Sequence, residues 1–112
     1  MSNGWHIIQS EGSLTLSRRL PPRFDFAVQT ELPQGNPRRL AHQIRQDLWR
    51  ALQDVRGFSP VVQLDQTPGG WTVTAGGRAS GKIAAATQAK ANAVLEHRGN
   101  RARWLRHARI TP

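Results

Sequence analysis

The chain contains no cysteine, which excludes disulfide bonds, thiolate metal sites and cysteine nucleophiles. Long apolar runs are also missing, because no stretch approaches the roughly 18 apolar residues that a membrane-spanning helix needs. Residues 1–12 lack the basic-then-apolar pattern of a secretion signal. The absence of cysteine leaves the compartment open, but the other two absences predict a cytoplasmic protein with no membrane span.

Acidic side chains are scarce. Seven Asp and Glu stand against sixteen Lys and Arg, a net charge of +9, and all but two of the basic residues are arginine. Arginine makes planar, bidentate contacts with phosphate and carboxylate groups. The composition therefore predicts an acidic partner, with RNA or DNA first and an anionic membrane surface or an acidic protein next. Arginine enrichment can also reflect the base composition of the coding DNA, so the charge alone does not establish a function.

The residues that usually build metal and catalytic sites are scattered. The four histidines form no pair at a spacing of three or four, and no carboxylate cluster could hold Mg²⁺ or Zn²⁺. We therefore predict no metal, no cofactor and no catalytic residues. The balance favours a binding protein over an enzyme, although enzymatic activity is left open.

A chain of 112 residues predicts one domain spanning residues 1–112, in which 98–112 form a basic C-terminal helix or tail. The predicted strands are 5–9, 13–18, 24–29, 61–66 and 71–75, and the predicted helices are 36–58, 82–98 and a short one capped by Asn100. The order is β-β-β-α-β-β-α-α. We expect an α+β fold in which two long helices cover one face of a mainly antiparallel sheet of about five strands.

The central helix has the clearest pattern. Asn36 is a predicted N-cap, Pro37 suits the first helical position, and Gly57 can end the helix in a left-handed conformation. One border of its apolar stripe carries Arg38, Arg45 and Trp49, a combination that suits phosphate or base contact. The alternative is structural, since arginine stems and edge tryptophans often cover the rim of a helix footprint.

The segment Gly76-Gly77-Arg78-Ala79-Ser80-Gly81-Lys82 lies between a predicted strand and a predicted helix, for which Ser80 is a candidate N-cap. It resembles the G-x-x-x-x-G-K phosphate-binding loop of nucleoside triphosphatases over these seven residues. The family has Ser or Thr next to hold magnesium, but Ile83 stands here, which argues against triphosphate hydrolysis. A loop that binds some other anion, through Gly76, Gly77, Arg78, Gly81 and Lys82, and a plain connection are the alternatives.

The C-terminal segment 97–112 is the most concentrated region of positive charge. On a helix, Trp104, Leu105 and Ala108 share one side, which we expect to face inward. The candidate phosphate contacts here are Arg101, Arg103, Arg106 and Arg109. Such basic helices bind phosphate backbones without reading sequence, but a docked helix with solvated arginines would have the same pattern.

We therefore expect a small basic protein that contacts the backbone of RNA or DNA without sequence specificity. One alternative is a protein–protein adaptor or assembly factor, with an acidic partner or as a homodimer that buries Trp5 or Trp71. The other alternative is nucleotide or phosphate binding through the Gly76–Lys82 segment.

Overall fold

The computed structural model describes residues 4–109 and contains five strands and three helices. The strands are β1 (His6–Ser10), β2 (Ser13–Ser17), β3 (Phe26–Pro33), β4 (Ser59–Thr67) and β5 (Gly70–Arg78). The helices are α1 (Pro37–Leu52), α2 (Ala85–Glu96) and α3 (Arg98–His107). The strands form one antiparallel sheet in the order β1-β2-β4-β5-β3. This arrangement confirms the predicted fold class and element order.

The sheet has one apolar and one polar face. The apolar face packs on the helices through a core that includes Leu14, Leu64 and Val73, which are aligned across β2, β4 and β5. The neighbouring row on the opposite face contains Thr15, Gln63, Thr74 and Gln29. This alternation is what the two-residue period of a strand produces when only one face is covered.

Helix α1 begins as predicted. The Asn36 side chain accepts a hydrogen bond from the Arg39 backbone N–H at 3.1 Å, and Pro37 is the first helical residue. Its buried residues are Leu40, Ala41, Ile44, Leu48 and Leu52. The helix ends at Leu52, earlier than predicted, because two backbone turns close onto Leu52 and Val55. Gly57, at φ +69°, therefore lies in the connection between α1 and β4 and does not end the helix.

The predicted second helix is too long at both ends. Ser80 is not its N-cap, because α2 begins at Ala85 with Ala84 at the cap position, and the Ser80 N–H donates to the carbonyl of Arg56. Extended backbone at His97 separates α2 from α3. His97 also caps α3, since its ring Nδ1 accepts from the Asn100 N–H at 3.1 Å, so Asn100 is the bonded residue and not the cap.

Strand β5 corrects part of the prediction of a glycine-rich loop over residues 76–81, because residues 76–78 belong to the strand and only residues 79–81 lie in a connection. Gly76 pairs with Val61 and Ala27, and Gly77 pairs with Pro60 and Phe26. A Cβ atom on Gly76 would lie 2.1 Å from the Phe26 carbonyl oxygen, closer than any side chain tolerates. The glycine is required there because the neighbouring backbone comes so close.

Helix α3 is docked by its apolar side. Trp104 and Ala108 are fully buried, and Leu105 is partly buried against the core, which confirms the predicted inward side. The Ala108 carbonyl also accepts a hydrogen bond from the Asn36 N–H at 2.8 Å. The basic C-terminal segment is therefore part of the fold as far as residue 109, and residues 110–112 lie outside the described part of the chain.

Candidate nucleic-acid interface

Two of the four predicted C-terminal contact residues are engaged inside the fold. The Arg101 guanidinium donates to the carbonyl oxygens of Leu95 and Glu31 and to the Thr30 hydroxyl, at 2.6–2.9 Å. These bonds tie α3 to the edge strand β3. Arg101 is thereby given a structural task that leaves little of its hydrogen-bonding capacity for a ligand.

Arg103 is also used internally. Its guanidinium donates to the Asp47 carboxylate on α1, which accepts a second bond from Trp104 Nε1 at 2.6 Å. Arg106 and Arg109, by contrast, are exposed. The structure therefore divides the predicted C-terminal set into two residues that hold α3 in place and two that remain open to solvent.

The glycine segment does not form a turn that leads directly into a helix. Gly76, Gly77 and Arg78 are strand residues, while Gly81 and Lys82 are exposed, and α2 begins only after Ala84. In a phosphate-binding loop, converging backbone N–H groups and a helix N-terminus meet at one point. Here the backbone around Gly76 and Gly77 takes part in sheet pairing, and the helix starts elsewhere.

A pocket of about 540 Å³ lies at the end of the sheet where β2 and β5 end and β4 begins. It is bordered by four arginines, Arg18, Arg19, Arg23 and Arg78, together with Trp49 from α1. Phe58, Ser59, Ala79 and Ser80 complete much of its wall. We call it the arginine pocket. Its volume is in the usual range for small-ligand sites, roughly 300–1,000 Å³.

Positive charge in the arginine pocket is largely uncompensated. Among residues 4–109, only Arg23 of the four has a carboxylate within 4.0 Å, at 2.9 Å from Asp25. The hydrogen bond from Arg23 and the backbone N–H of Ala79 lower the pKa of Asp25, so this carboxylate stays ionised. The remaining arginines create a field that favours an anion.

Arg78 is held in place by a neutral acceptor, while its charge contributes to the lowered pKa of Asp25. Its Nη2 donates to the Pro21 carbonyl at 2.7 Å, and its Nε is buried with no hydrogen-bond partner among residues 4–109. A buried, unpaired guanidinium nitrogen is costly unless a ligand or water satisfies it. Arg78 is therefore a fixed donor group at the border of the pocket.

Trp49 provides an aromatic surface at the same place. Its indole is 43% exposed, and its ring is nearly parallel to that of Phe58, with a centroid distance of 6.1 Å and an interplanar angle of 7°. The ring of Phe58 in turn contacts that of the core residue Phe26, with a centroid distance of 5.8 Å. The exposed ring of Trp49 thus contacts the buried ring of Phe58, which contacts that of Phe26.

The predicted basic border of α1 continues away from the pocket. Arg38, His42, Arg45 and Trp49 recur at helical spacing, and we call this line the basic stripe. The Arg45 and Arg18 guanidinium carbons lie 4.7 and 5.6 Å from the centre of the Trp5 ring. Burial, and then the charge of Arg18, lower the pKa of Arg45. Two like charges are therefore held close together, and neither has a carboxylate within 4.0 Å in the described part of the chain.

A second, shallower pocket lies at the start of the basic stripe. It is lined by Arg38, Arg39, His42, Gln43 and His107 and has a volume of about 370 Å³. Burial, and then the charges of Arg45 and Arg38, lower the pKa of His42. Positive potential therefore extends along the length of α1, roughly 16 Å from Arg38 to Trp49 at 1.5 Å per residue.

The structure brings Arg45, Trp49 and Arg78 into one connected basic region and adds three arginines that the sequence analysis did not select. Arg18, Arg19 and Arg23 lie in the connection between β2 and β3. The signal was visible, because these three arginines surround Pro21 and Pro22 within a short segment. What the segment could not show is that it folds beside Trp49.

Other kinds of site are not indicated in the described part of the chain. Within residues 4–109 no three His, Asp or Glu side chains lie close enough together to hold a metal ion. No helix in that range is long and apolar enough to cross a membrane. The fold and the site thus define a small α+β protein with an arginine-lined surface. No protein-family model, curated protein or solved structure matches this chain.

Proposed function

We propose that this protein binds the phosphate backbone of RNA or DNA without reading base sequence, through the arginine pocket and the basic stripe. The observation that carries this proposal is the convergence of four arginines and an exposed tryptophan on one pocket where, among residues 4–109, only Arg23 has a carboxylate within 4.0 Å. Arginine is the side chain best suited to phosphate, and proteins that neutralise several phosphates bind through released counterions. Arg106 and Arg109, which are exposed on the C-terminal segment, are secondary contacts.

The residues of the arginine pocket and the basic stripe act together in this proposal. Arg18, Arg19 and Arg78 bind phosphates at the sheet end, and Arg38 and Arg45 continue the contact along α1. A distance of about 16 Å corresponds to about five stacked nucleotides at roughly 3.4 Å each. Because each contact is an electrostatic one with a phosphate, affinities in the range of roughly 10⁻⁴ to 10⁻⁶ M at physiological salt are expected.

The test is fluorescence-anisotropy titration of labelled RNA and DNA oligonucleotides at several salt concentrations. The variant is Arg18→Gln combined with Arg19→Gln, and the control is Arg98→Gln, an exposed arginine on α3 that does not line the pocket. Losses are compared per charge removed, since the variant removes two positive charges and the control removes one. Each lost phosphate contact lowers the slope of log affinity against log salt by about 0.9 on duplex DNA. The double variant is therefore expected to bind more weakly and with a slope lower by about 2.

Three results would contradict the proposal. Binding that does not change with salt would exclude backbone contact as its source. Equal losses in the pocket variant and in Arg98→Gln would mean that net charge, and not this site, is responsible. If no oligonucleotide binds even at low salt, the basic surface is left for an acidic protein partner.

A further inference from the structure

The three rings at the arginine pocket form a series that runs from the core to the surface. Phe26 and Phe58 are 5% and 8% exposed, whereas Trp49 is 43% exposed. The Trp49 ring lies nearly parallel to that of Phe58 in a displaced contact, which favours one orientation of the indole. The uncovered part of the indole borders the pocket. The site therefore offers a rigid aromatic surface to a second flat ring.

The four arginines line the same pocket as this aromatic surface. Arg18, Arg19 and Arg23 belong to the β2–β3 connection, and Arg78 lies at the end of β5. A nucleotide has the same combination of parts, a flat apolar base attached to a charged phosphate. Aromatic side chains that stack bases beside a positively charged groove are the usual means of binding single strands.

We infer that the arginine pocket receives an unpaired base of single-stranded RNA or DNA, which stacks on Trp49 while the arginines bind its flanking phosphates. This inference rests on the proposed nucleic-acid function. In a duplex both faces of a base are already covered by its neighbours, so a duplex could contact the arginines but not the indole. Stacking is sequence-tolerant, because every base has a flat face.

Other surfaces of the described chain do not offer the same combination. The uncovered face of the sheet presents Thr15, Gln63, Thr74 and Gln29 in its central row, with no aromatic ring. Trp5 has the guanidinium groups of Arg18 and Arg45 over its ring. Trp71 and Trp104 are buried. Trp49 is therefore the tryptophan to which a base would have access.

The experiment compares three ligands of equal phosphate number per strand: a single-stranded oligonucleotide, the same sequence in a duplex, and an abasic strand of the same length. The variant is Trp49→Leu, which keeps an apolar cover over Phe58 but removes the flat ring. Ile8→Ala is the control, since Ile8 is 44% exposed and lies on β1, outside the pocket. The native chain is expected to bind the single strand roughly 5- to 150-fold more tightly than the abasic strand. Trp49→Leu should lose that preference and retain its duplex affinity.

A second measurement covers the case in which Trp49→Leu does not fold. Addition of the single strand should quench the tryptophan emission of the native chain, and Trp49→Phe, which keeps a ring over Phe58, should lose that part of the quenching. The abasic strand should quench neither protein.

The outcomes separate this inference from the proposed function. If the native chain and Trp49→Leu bind single, duplex and abasic strands alike, with steep salt dependence, base stacking is excluded and backbone binding stands. Quenching that is equal in the native chain and Trp49→Phe would likewise overturn the assignment to Trp49. If none of the three ligands binds at low salt, both proposals fail.

Discussion

Asp47 is the residue on which the attachment of α3 to α1 depends most. Its carboxylate accepts hydrogen bonds from Arg103 and from the indole N–H of the fully buried Trp104, and it lies 3.9 Å from Arg50. A buried donor that loses its acceptor carries the full cost of its desolvation. Arg103 thus has a structural role, because it donates to the same carboxylate that accepts the hydrogen bond of the buried Trp104 indole.

We expect Asp47→Ala to lower the free energy of unfolding by about 2–4 kcal/mol, because it leaves the Trp104 N–H and the Arg103 guanidinium without their acceptor. Urea denaturation followed by tryptophan fluorescence measures the change. Asp54→Ala is the control, since Asp54 is exposed beyond the end of α1, and it should change stability by no more than about 0.5 kcal/mol. Equal effects of the two substitutions would show that the Asp47 hydrogen bonds contribute nothing specific.

At the scale of the element, α1 has two separate tasks. Its apolar stripe, centred on Ile44 and Leu48, covers the sheet, while Arg38, His42, Arg45 and Trp49 form the basic stripe. Residues of one amphipathic helix can do both because the two sets project in different directions. Burial is the main cause of the lowered pKa values of His42 and Arg45, and the charges of neighbouring arginines add to it.

This arrangement predicts opposite pH effects on stability and on binding. The folded pKa of His42 lies below its unfolded value of about 6.5, so the unfolded chain binds the proton more readily and stability falls as the pH drops below that value. A bound polyanion would offset the charges of Arg38 and Arg45, so protonation of His42 becomes easier in the complex. Affinity for an oligonucleotide should therefore rise as the pH falls from 7.5 to 5.5.

Denaturation and anisotropy titrations of His42→Gln at these two pH values provide the measurement. The substitution should reduce both pH effects, because it removes the titrating group whose pKa the fold lowers. His6→Gln, at the exposed start of β1, serves as the control and should behave as the native chain does. An affinity that falls with acidification would show that the complex does not neutralise the basic stripe.

At the scale of the whole molecule, the three helices and the sheet share one core. Trp104 of α3 belongs to the same buried cluster as Leu48 of α1, Leu95 of α2 and Val62 of β4. The C-terminal helix therefore cannot be removed to test the role of its arginines without exposing that core. Substitution of single surface residues is the sound approach.

A matched pair of tryptophan substitutions tests this view of the core. Trp104→Ala is expected to cost about 3–5 kcal/mol of unfolding free energy, a large part of the roughly 5–15 kcal/mol that holds a domain of this size together. Trp49→Ala removes the same atoms from a side chain that is 43% exposed and should cost much less. Denaturant titration of both variants gives the comparison. If Trp104→Ala cost as little unfolding free energy as Trp49→Ala, α3 would not contribute to a shared core.

The interface was predictable only where local pattern determines position. Arg38, Arg45 and Trp49 could be placed on one border of a helix because a helix repeats every 3.6 residues. The task of Arg101 could not be read in the same way, since its partners on β3 are far away in sequence. The resemblance of the Gly76–Lys82 segment to a phosphate-binding loop could not show that Gly76 and Gly77 belong to a strand, for a related reason. Gly76 and Gly77 are required here for a different reason, since a Cβ atom at either position would lie 2.1 Å from a carbonyl oxygen of a neighbouring strand.

The amino-acid sequence by itself determined the order of the elements, the cap and apolar stripe of α1, and the net positive charge. These depend on neighbours within a few residues, on the period of helix or strand, or on composition alone. Only the tertiary structure decided that Arg18, Arg19, Arg23 and Arg78 surround Trp49 in one pocket. The physical reason is the antiparallel pairing of β2, β4 and β5, which brings the ends of distant segments to the same edge of the sheet beside the last turns of α1.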